Sequence, residues 1–350
     1  LLYCLGHPTG EPIDHTVTKM SHERELAAAL PPLDRVTLVV LVAVKLLLHV
    51  PGLTRYGYFR DELYFLDCAR HLDWGYVDCA PLVAVYAKIA LLFGGSLPAL
   101  RILPMLAGAG MVALTVLLAR QLGGGAFAQA AAALAILIAP VHLMIGSILS
   151  MNAFEPLFWM GCIYVLIRII RGGDPRLWLM FGVLAGLGLQ NKHSTLFFGA
   201  AVAVAILATP LRRELLRPWL WIGAAVALAV FLPNIVWQWQ HDFPTLEDLR
   251  NVRETGKNIV LAPLPFFGEQ IMMMHPVNAP IWLAGLWFLL FGRGRTFRAV
   301  GLTYVALLAL FIVFHAKSYY LAPIYPMLLA AGGTAIEVWT TQLVLSLIHI

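Results

Sequence analysis

The sequence predicts an all-α, polytopic membrane protein of about ten transmembrane helices, with interfacial helices in its first outer loop. Three observations predict it. Of the 350 residues, 60% are hydrophobic and only 12% charged, against about 45–50% and about 25% in soluble domains. Mean hydropathy is +0.80. Apolar runs suited to a bilayer recur along the chain, and the arginines in the short loops between them fall on one side. These features exclude a disordered chain, a disulfide scaffold and an ordinary soluble enzyme. A net charge of +5 would point to nucleic acid in a soluble protein. Here the basic residues sit in short loops, where they set topology, and no nucleic-acid partner is expected.

The tail 1–30 begins at Leu1 and is polar and featureless to residue 19. Met20 is the expected translation start, before a short amphipathic stretch at 21–30, and the tail is expected to be partly non-native. Residues 31–340 form the membrane domain. Its candidate spans are 35–51, 98–119, 126–148, 151–170, 175–189, 194–209, 218–238, 279–291, 299–314 and 320–336. The first is expected to serve as an uncleaved signal-anchor. Residues 341–350, closing on Leu345-Ser346-Leu347-Ile348-His349-Ile350, are expected to be a non-native or truncated end. No internal repeat is evident, which disfavours an inverted-repeat transporter. No Walker loop and no GxGxxG after a strand occurs, so nucleotide sugars and ATP are not expected substrates.

Arg120 follows the second span, Arg171 and Arg176 the fourth, Arg212, Arg213 and Arg217 the sixth, and Arg293, Arg295 and Arg298 the eighth. With ten spans all these loops share one side, which the positive-inside rule makes cytoplasmic. The opposite loops carry Asp61, Glu62, Asp67, Asp73, Asp78, Lys192, His193, His241, Asp242, Glu247, His275, His315 and Lys317. The reactive side chains therefore gather at the outer membrane surface, which suggests a site there fed from the lipid.

The first outer loop opens a helix over 58–72, with Phe59, Leu63, Leu66, Ala69 and Leu72 forming one apolar stripe. Asp61 and Glu62 fall in its first turn. They either complement the helix dipole or supply acid–base chemistry. Asp73-Trp74-Gly75-Tyr76-Val77-Asp78 is a turn leading into a second apolar helix at 81–94. Asp78 either caps that helix or serves as a second acid. Among Cys4, Cys68, Cys79 and Cys162 there is no metal-type CxxC spacing, and whether Cys68 and Cys79 pair is left open. Lys192 and Lys317 each end an apolar run. They either snorkel or neutralise an anion, and both break the bias against outer positive residues. Glu155 lies in an apolar run, where an ionisable group is costly and a functional candidate, and Asn152 either caps that helix or joins the site. In the large outer loop, about 239–278, Thr245 is the expected N-cap of a small helix. His241 and His275 read first as polar interface residues, and Met272-Met273-Met274 as the lining of a lipid groove.

Four segments on this outer face carry a resemblance. They are Tyr58-Phe59-Arg60-Asp61-Glu62-Leu63-Tyr64-Phe65 with the turn through Asp78 to Pro81-Leu82, Ser150-Met151-Asn152-Ala153-Phe154-Glu155-Pro156, Asn191-Lys192-His193-Ser194, and Lys317-Ser318-Tyr319-Tyr320-Leu321-Ala322-Pro323. In this order they resemble the C-type (GT-C) membrane glycosyltransferases, in the bacterial branch related to protein O-mannosyltransferases and the lipid A aminoarabinose transferase. The resemblance covers about 35–335. It implies a multi-pass enzyme of the bacterial inner membrane, taking a sugar from a polyprenyl-phosphate donor at the extracytoplasmic face. The acceptor would be a lipid, glycan or protein hydroxyl. It implies Asp61 as general base with Glu62 beside it, and Asp78 as the second acid, associated with acceptor or metal binding. Two departures leave a divalent cation unassigned: Cys79-Ala80 stands where relatives often have His-Pro, and Asn152 and Glu155 stand where they commonly carry aspartate.

Such a transfer needs a carboxylate to take the acceptor's proton and cations where the leaving phosphate gains charge. Lys192, Lys317 and His193 are the outer-face candidates for the second role, with Asn152, Glu155 and Tyr320 completing the expected substrate site. Tyr319 and Tyr320 also suit interface anchors. The rival expectation is a multi-span lipid or solute transporter or flippase without transferase activity. An assembly partner without catalysis and a lipid-linked oligosaccharide polymerase are further rivals.

Overall fold

A computed structural model describes residues 30–256 and 260–348, and among them there are helices and no strands. The readings at Met20, Cys4 and His349 lie outside the described residues. The helices are α1 (Arg35–His49), α2 (Arg60–Arg70), α3 (Leu82–Leu92), α4 (Leu97–Gln121), α5 (Ala126–Ile138), α6 (Pro140–Ile145), α7 (Met151–Ile170), α8 (Leu177–Asn191), α9 (Thr195–Leu207), α10 (Pro218–Gln240), α11 (Pro244–Glu254), α12 (Pro263–Met274), α13 (Ala279–Leu290), α14 (Arg298–Val313) and α15 (Tyr325–Ile348). The chain is an all-α polytopic membrane protein.

The count of ten spans is not reproduced. Six helical segments among the described residues are long and apolar enough to cross a bilayer, or up to eight when two bent pairs each count as one span. Proline explains much of the difference. The expected span 126–148 breaks between α5 and α6, where Ala139 is extended and Pro140 begins the new helix; a proline removes an amide donor and pushes its predecessor out of the helical region. The chain turns by 103° between α9 and the segment Pro210–Leu216. It turns by 100° between α12 and the segment Pro276–Leu290, where His275 has φ 74° ahead of Pro276. The helix α8 is apolar but only 15 residues long.

Close helix packing rests on small residues. A Cβ on Gly182 of α8 would lie 2.1 Å from the Gly223 carbonyl oxygen of α10, and one on Gly285 of α13 would lie 2.0 Å from the Leu328 oxygen of α15. In return, a Cβ on Gly332 of α15 would lie 2.0 Å from the Ile281 oxygen. Small residues let membrane helices approach backbone to backbone and gain dispersion contacts. Gly285→Ala is therefore expected to cost about 1–3 kcal/mol and to lower the thermal midpoint in detergent. The control is Gly199→Ala, whose Cβ would meet nothing within 4 Å.

A large core joins α4, α5, α7, α9 and α13–α15. A second core positions the outer loop: Phe65 and Ala69 of α2 and Val83 and Ala87 of α3 pack on Leu100 of α4, Leu149 and Phe154. This corrects the expected stripe. The face of α2 turned into the protein carries Glu62, Phe65, Cys68 and Ala69, whereas Phe59, Leu63 and Leu72 are exposed. Those apolar side chains are the ones left to meet lipid at the interface.

Candidate active site

The site grows from the first turn of α2. Glu62 reaches back over the start of its own helix, its Oε2 accepting from the Phe59 amide at 2.8 Å. It is fully buried, and a buried carboxylate needs a partner. The partner is Arg101, one turn into α4 and 4% exposed. The Arg101 Nε–H donates to Oε1 and an Nη2–H to Oε2, each at 3.1 Å. Glu62 Oε1 also accepts from the Leu149 amide at 3.1 Å. The remaining guanidinium hydrogens reach the carbonyls of Gly52, Arg55 and Gly57 at 2.7, 2.8 and 2.6 Å. All five donors of the arginine and all four lone-pair positions of the carboxylate are thus engaged.

This geometry differs from the expectation that Glu62 acts in catalysis. Its oxygens are saturated by protein donors, so it ties residues 52–62 to α4 and to the entry of α7. Breaking such a buried pair costs about 3–5 kcal/mol. Glu62→Ala is expected to lower the thermal midpoint sharply, and Arg101→Ala to do the same. Arg101 was not anticipated from sequence. Its signal was there: an arginine inside an apolar span, near its outer end, is an ionisable group in an expensive place.

Asp61, the preceding residue, points the other way. Its side chain is 44% exposed and its contact is the neighbouring Arg60, at 3.1 Å. An exposed pair of this kind contributes little, so the Asp61 carboxylate stays open to a ligand. Asp78 is also exposed and accepts from the Tyr64 hydroxyl at 2.6 Å, a bond joining the α2 helix to the turn before α3. Burial, with this bond to Asp78 adding to it, raises the Tyr64 phenol well above its ordinary value. Tyr64 therefore stays a donor.

A second polar centre lies where α7 begins and α8 ends. Glu155 is 1% and Lys192 8% exposed. The Lys192 ammonium donates to Glu155 Oε2 at 2.8 Å and to Asn152 Oδ1 at 2.9 Å. The Ser194 hydroxyl donates to the other Glu155 oxygen. The Lys192 ammonium also lies 4.0 Å from the Tyr320 ring centroid and 5.8 Å from that of Tyr319, within cation–π range. In sequence Lys192 has no neighbouring acid; in space its acid is 37 residues away. Tyr319 lies within the electrostatic reach of both Asp61 and Glu155.

His193 turns away from Lys192. Its Nε2 meets Asn234 Oδ1 at 3.1 Å, and the Asn234 amide donates to the Trp74 carbonyl at 2.8 Å. Burial holds the His193 ring below its ordinary value, so it sits there as a neutral hydrogen-bonding partner fastening α10 to the first outer loop. Lys317 is half-buried beside Ser318, and among the described residues it has no side-chain partner. Thr245 is not an N-cap. The cap of α11 is Phe243, at φ 55°, because Pro244 takes the first helical position. The Thr245 hydroxyl instead accepts from the Gln238 side chain at 2.6 Å. Among the described residues no three His, Cys, Asp or Glu side chains converge as metal ligands.

Comparison with known proteins bears on this arrangement. The family described as dolichyl-phosphate-mannose-protein mannosyltransferase matches residues 78–237. The chain is 35% identical over 112 residues to the lipid A galacturonosyltransferase RgtD of Rhizobium johnstonii, covering 31% of this chain and 23% of that protein. It superposes on ArnT from Cupriavidus metallidurans in its undecaprenyl phosphate complex with a TM-score of 0.68, at 20% identity, over 89% of this chain and 62% of that one. The apo form of the same protein gives 0.64 at 19% identity, over 87% and 61%. The chain resembles the GT-C membrane glycosyltransferases of the ArnT and mannosyltransferase kind. Its apolar helices and bacterial relatives indicate a protein of the bacterial inner membrane. This GT-C-like chain spans about a quarter of the curated relative's length and about three fifths of ArnT.

Proposed function

We propose that the chain transfers a sugar from a polyprenyl-phosphate donor to a hydroxyl group at the extracytoplasmic membrane face. The observation that carries this reading is an exposed Asp61 carboxylate whose contact is Arg60, together with a buried Lys192–Glu155 pair seated against Tyr319 and Tyr320. In this reading the open base and the cationic centre both lie at headgroup depth. Two relatives support the reading: one is named as a lipid A galacturonosyltransferase, which fits sugar transfer, and the other was solved with undecaprenyl phosphate, which fits the donor class.

In this reading the acceptor oxygen attacks the anomeric carbon, forming the new C–O bond while the bond from that carbon to the phosphate oxygen breaks. Asp61 takes the hydroxyl proton. The electron pair leaves with the phosphate, whose growing charge is met by cations more strongly in the transition state than before it. Lys317, without a side-chain partner among the described residues, is a cation free for this role. Lys192 contributes its field from a position fixed by Glu155, Asn152 and Ser194. Glu62 and Arg101 hold the base in register, and Asp78 orients the acceptor from the neighbouring turn. His193 holds the wall. Lys317→Ala is expected to raise KM for the lipid-linked donor and to lower kcat by about tenfold or more, with an unchanged thermal midpoint.

The test is transfer in proteoliposomes. Purified protein is incubated with a panel of labelled polyprenyl-phosphate sugars and lipid A or glycan acceptors, and products are read by mass spectrometry. Label moving from one donor to an acceptor supports the reading. Protein that binds the donors and moves no label across the whole panel overturns it.

A further inference from the structure

Behind the two exposed acids lies a pair of thiols that the proposed reaction does not use. Cys68, on the inward face of α2, is 6% exposed, and Cys79, at the turn before α3, is 2% exposed. Neither is bonded to another cysteine, and each lies within electrostatic reach of the other and of Tyr64. The Tyr76 hydroxyl, three residues before Cys79, donates to the Cys68 carbonyl at 3.0 Å, and the Tyr64 hydroxyl bonds Asp78 beside Cys79. The two elements are otherwise held by the small outer core, in which Phe65, Ala69, Cys79 and Val83 pack together.

We propose that Cys68 and Cys79 are a covalent-closure site, joined by a disulfide in the mature protein that pins α2 to the turn carrying Asp78. The proposal rests on the extracytoplasmic reading of this loop, because disulfides persist in such oxidising compartments and are rare in the cytosol. The oxidant is a dithiol–disulfide exchange partner of that compartment. The Cys68 sulfur attacks the oxidant's disulfide bond and releases one of its sulfurs as a thiol. Cys79 then attacks the mixed disulfide at Cys68, forming the internal bond and releasing the second thiol. Two electrons pass to the oxidant, and the two cysteine protons end on its sulfurs. Exchange takes place as the loop docks, before packing covers both sulfurs. Once closed, the bond fixes the separation of the helix carrying Asp61 from the turn carrying Asp78.

The chain's tryptic sites make this directly readable. Cleavage after Arg60, Arg70 and Lys88 puts Cys68 alone in peptide 61–70 and Cys79 alone in peptide 71–88. Protein is purified without reductant from cells lysed in N-ethylmaleimide, then unfolded in the same reagent and digested. The expected species is 61–70 joined to 71–88, separated by dithiothreitol, with Cys162 recovered as the alkylated thiol. Dithiothreitol is also expected to lower the thermal midpoint of the native protein by several degrees and to leave Cys68→Ser/Cys79→Ser unchanged. Recovery of both peptides as alkylated thiols overturns the proposal. The face is read separately, by impermeant labelling of Arg60→Cys in a background with the native cysteines replaced by serine. Free thiols on an outward-facing loop defeat the disulfide and leave the proposed function standing. Labelling that requires permeabilised cells defeats the extracytoplasmic reading itself.

Discussion

Asp61→Asn is expected to lower sugar transfer by about 10²- to 10⁴-fold, the range for removing a positioned general base, while leaving the folded protein intact. Both halves follow from the geometry. The carboxylate is 44% exposed and its contact is the adjacent Arg60, so the isosteric amide removes an exposed ion pair worth at most about 1 kcal/mol. The amide cannot take a proton from the attacking hydroxyl. The variant should therefore match the native thermal midpoint and donor binding, and fail in the chemical step under saturating donor. Glu62→Gln, one residue away, is expected to do the reverse. It removes the anion that neutralises buried Arg101, lowers the midpoint, and loses activity only as the fold is lost. Full transfer by both Asp61→Asn and Asp78→Asn would remove these acids from the mechanism.

Lys192→Met is expected to lose on both counts. It strands Glu155 at 1% exposure, and leaving a buried charge without its partner costs about 3–5 kcal/mol. It also removes the field that Lys192 contributes at the leaving phosphate in the proposed reaction, a change expected to lower kcat by about tenfold or more. The two effects separate in Lys192→Met/Glu155→Gln. Neutralising the acid is expected to restore much of the thermal midpoint and none of the transfer. If the double variant regains both, Lys192 is a scaffold residue alone. Lysine here is also not exchangeable for arginine: the ammonium donates to Glu155 and Asn152 while facing the Tyr320 ring, and a planar guanidinium needs a different set of partners.

The sequence carried the helix start at Asp61 and Glu62, because charge is rare in this chain and its spacing is visible. It did not carry which acid of the adjacent pair faces inward. Neighbouring helical residues point about 100° apart, and the choice was made by Arg101, 39 positions on, through a contact no local pattern records. Lys192 and Glu155 were each legible as charges in apolar surroundings. Their pairing was not, since it depends on how α7 and α8 pack. The expected span 126–148 and the structure part at Pro140, because mean hydropathy over a window does not register a lost amide donor. Of the stripe Phe59, Leu63, Leu66, Ala69 and Leu72, Ala69 is buried while Phe59, Leu63 and Leu72 are exposed, as an interfacial helix requires; period alone does not say which of its members protein covers.

The account depends most on one claim, that the loop bearing Asp61 faces out of the cell. The direct measurement is labelling of a single introduced cysteine, Arg60→Cys, beside that acid and 89% exposed at its side chain, with a membrane-impermeant maleimide in intact cells. Labelling in intact cells is expected to equal that in permeabilised ones. Labelling that appears only after the membrane is opened would put the base on the cytoplasmic side and contradict it.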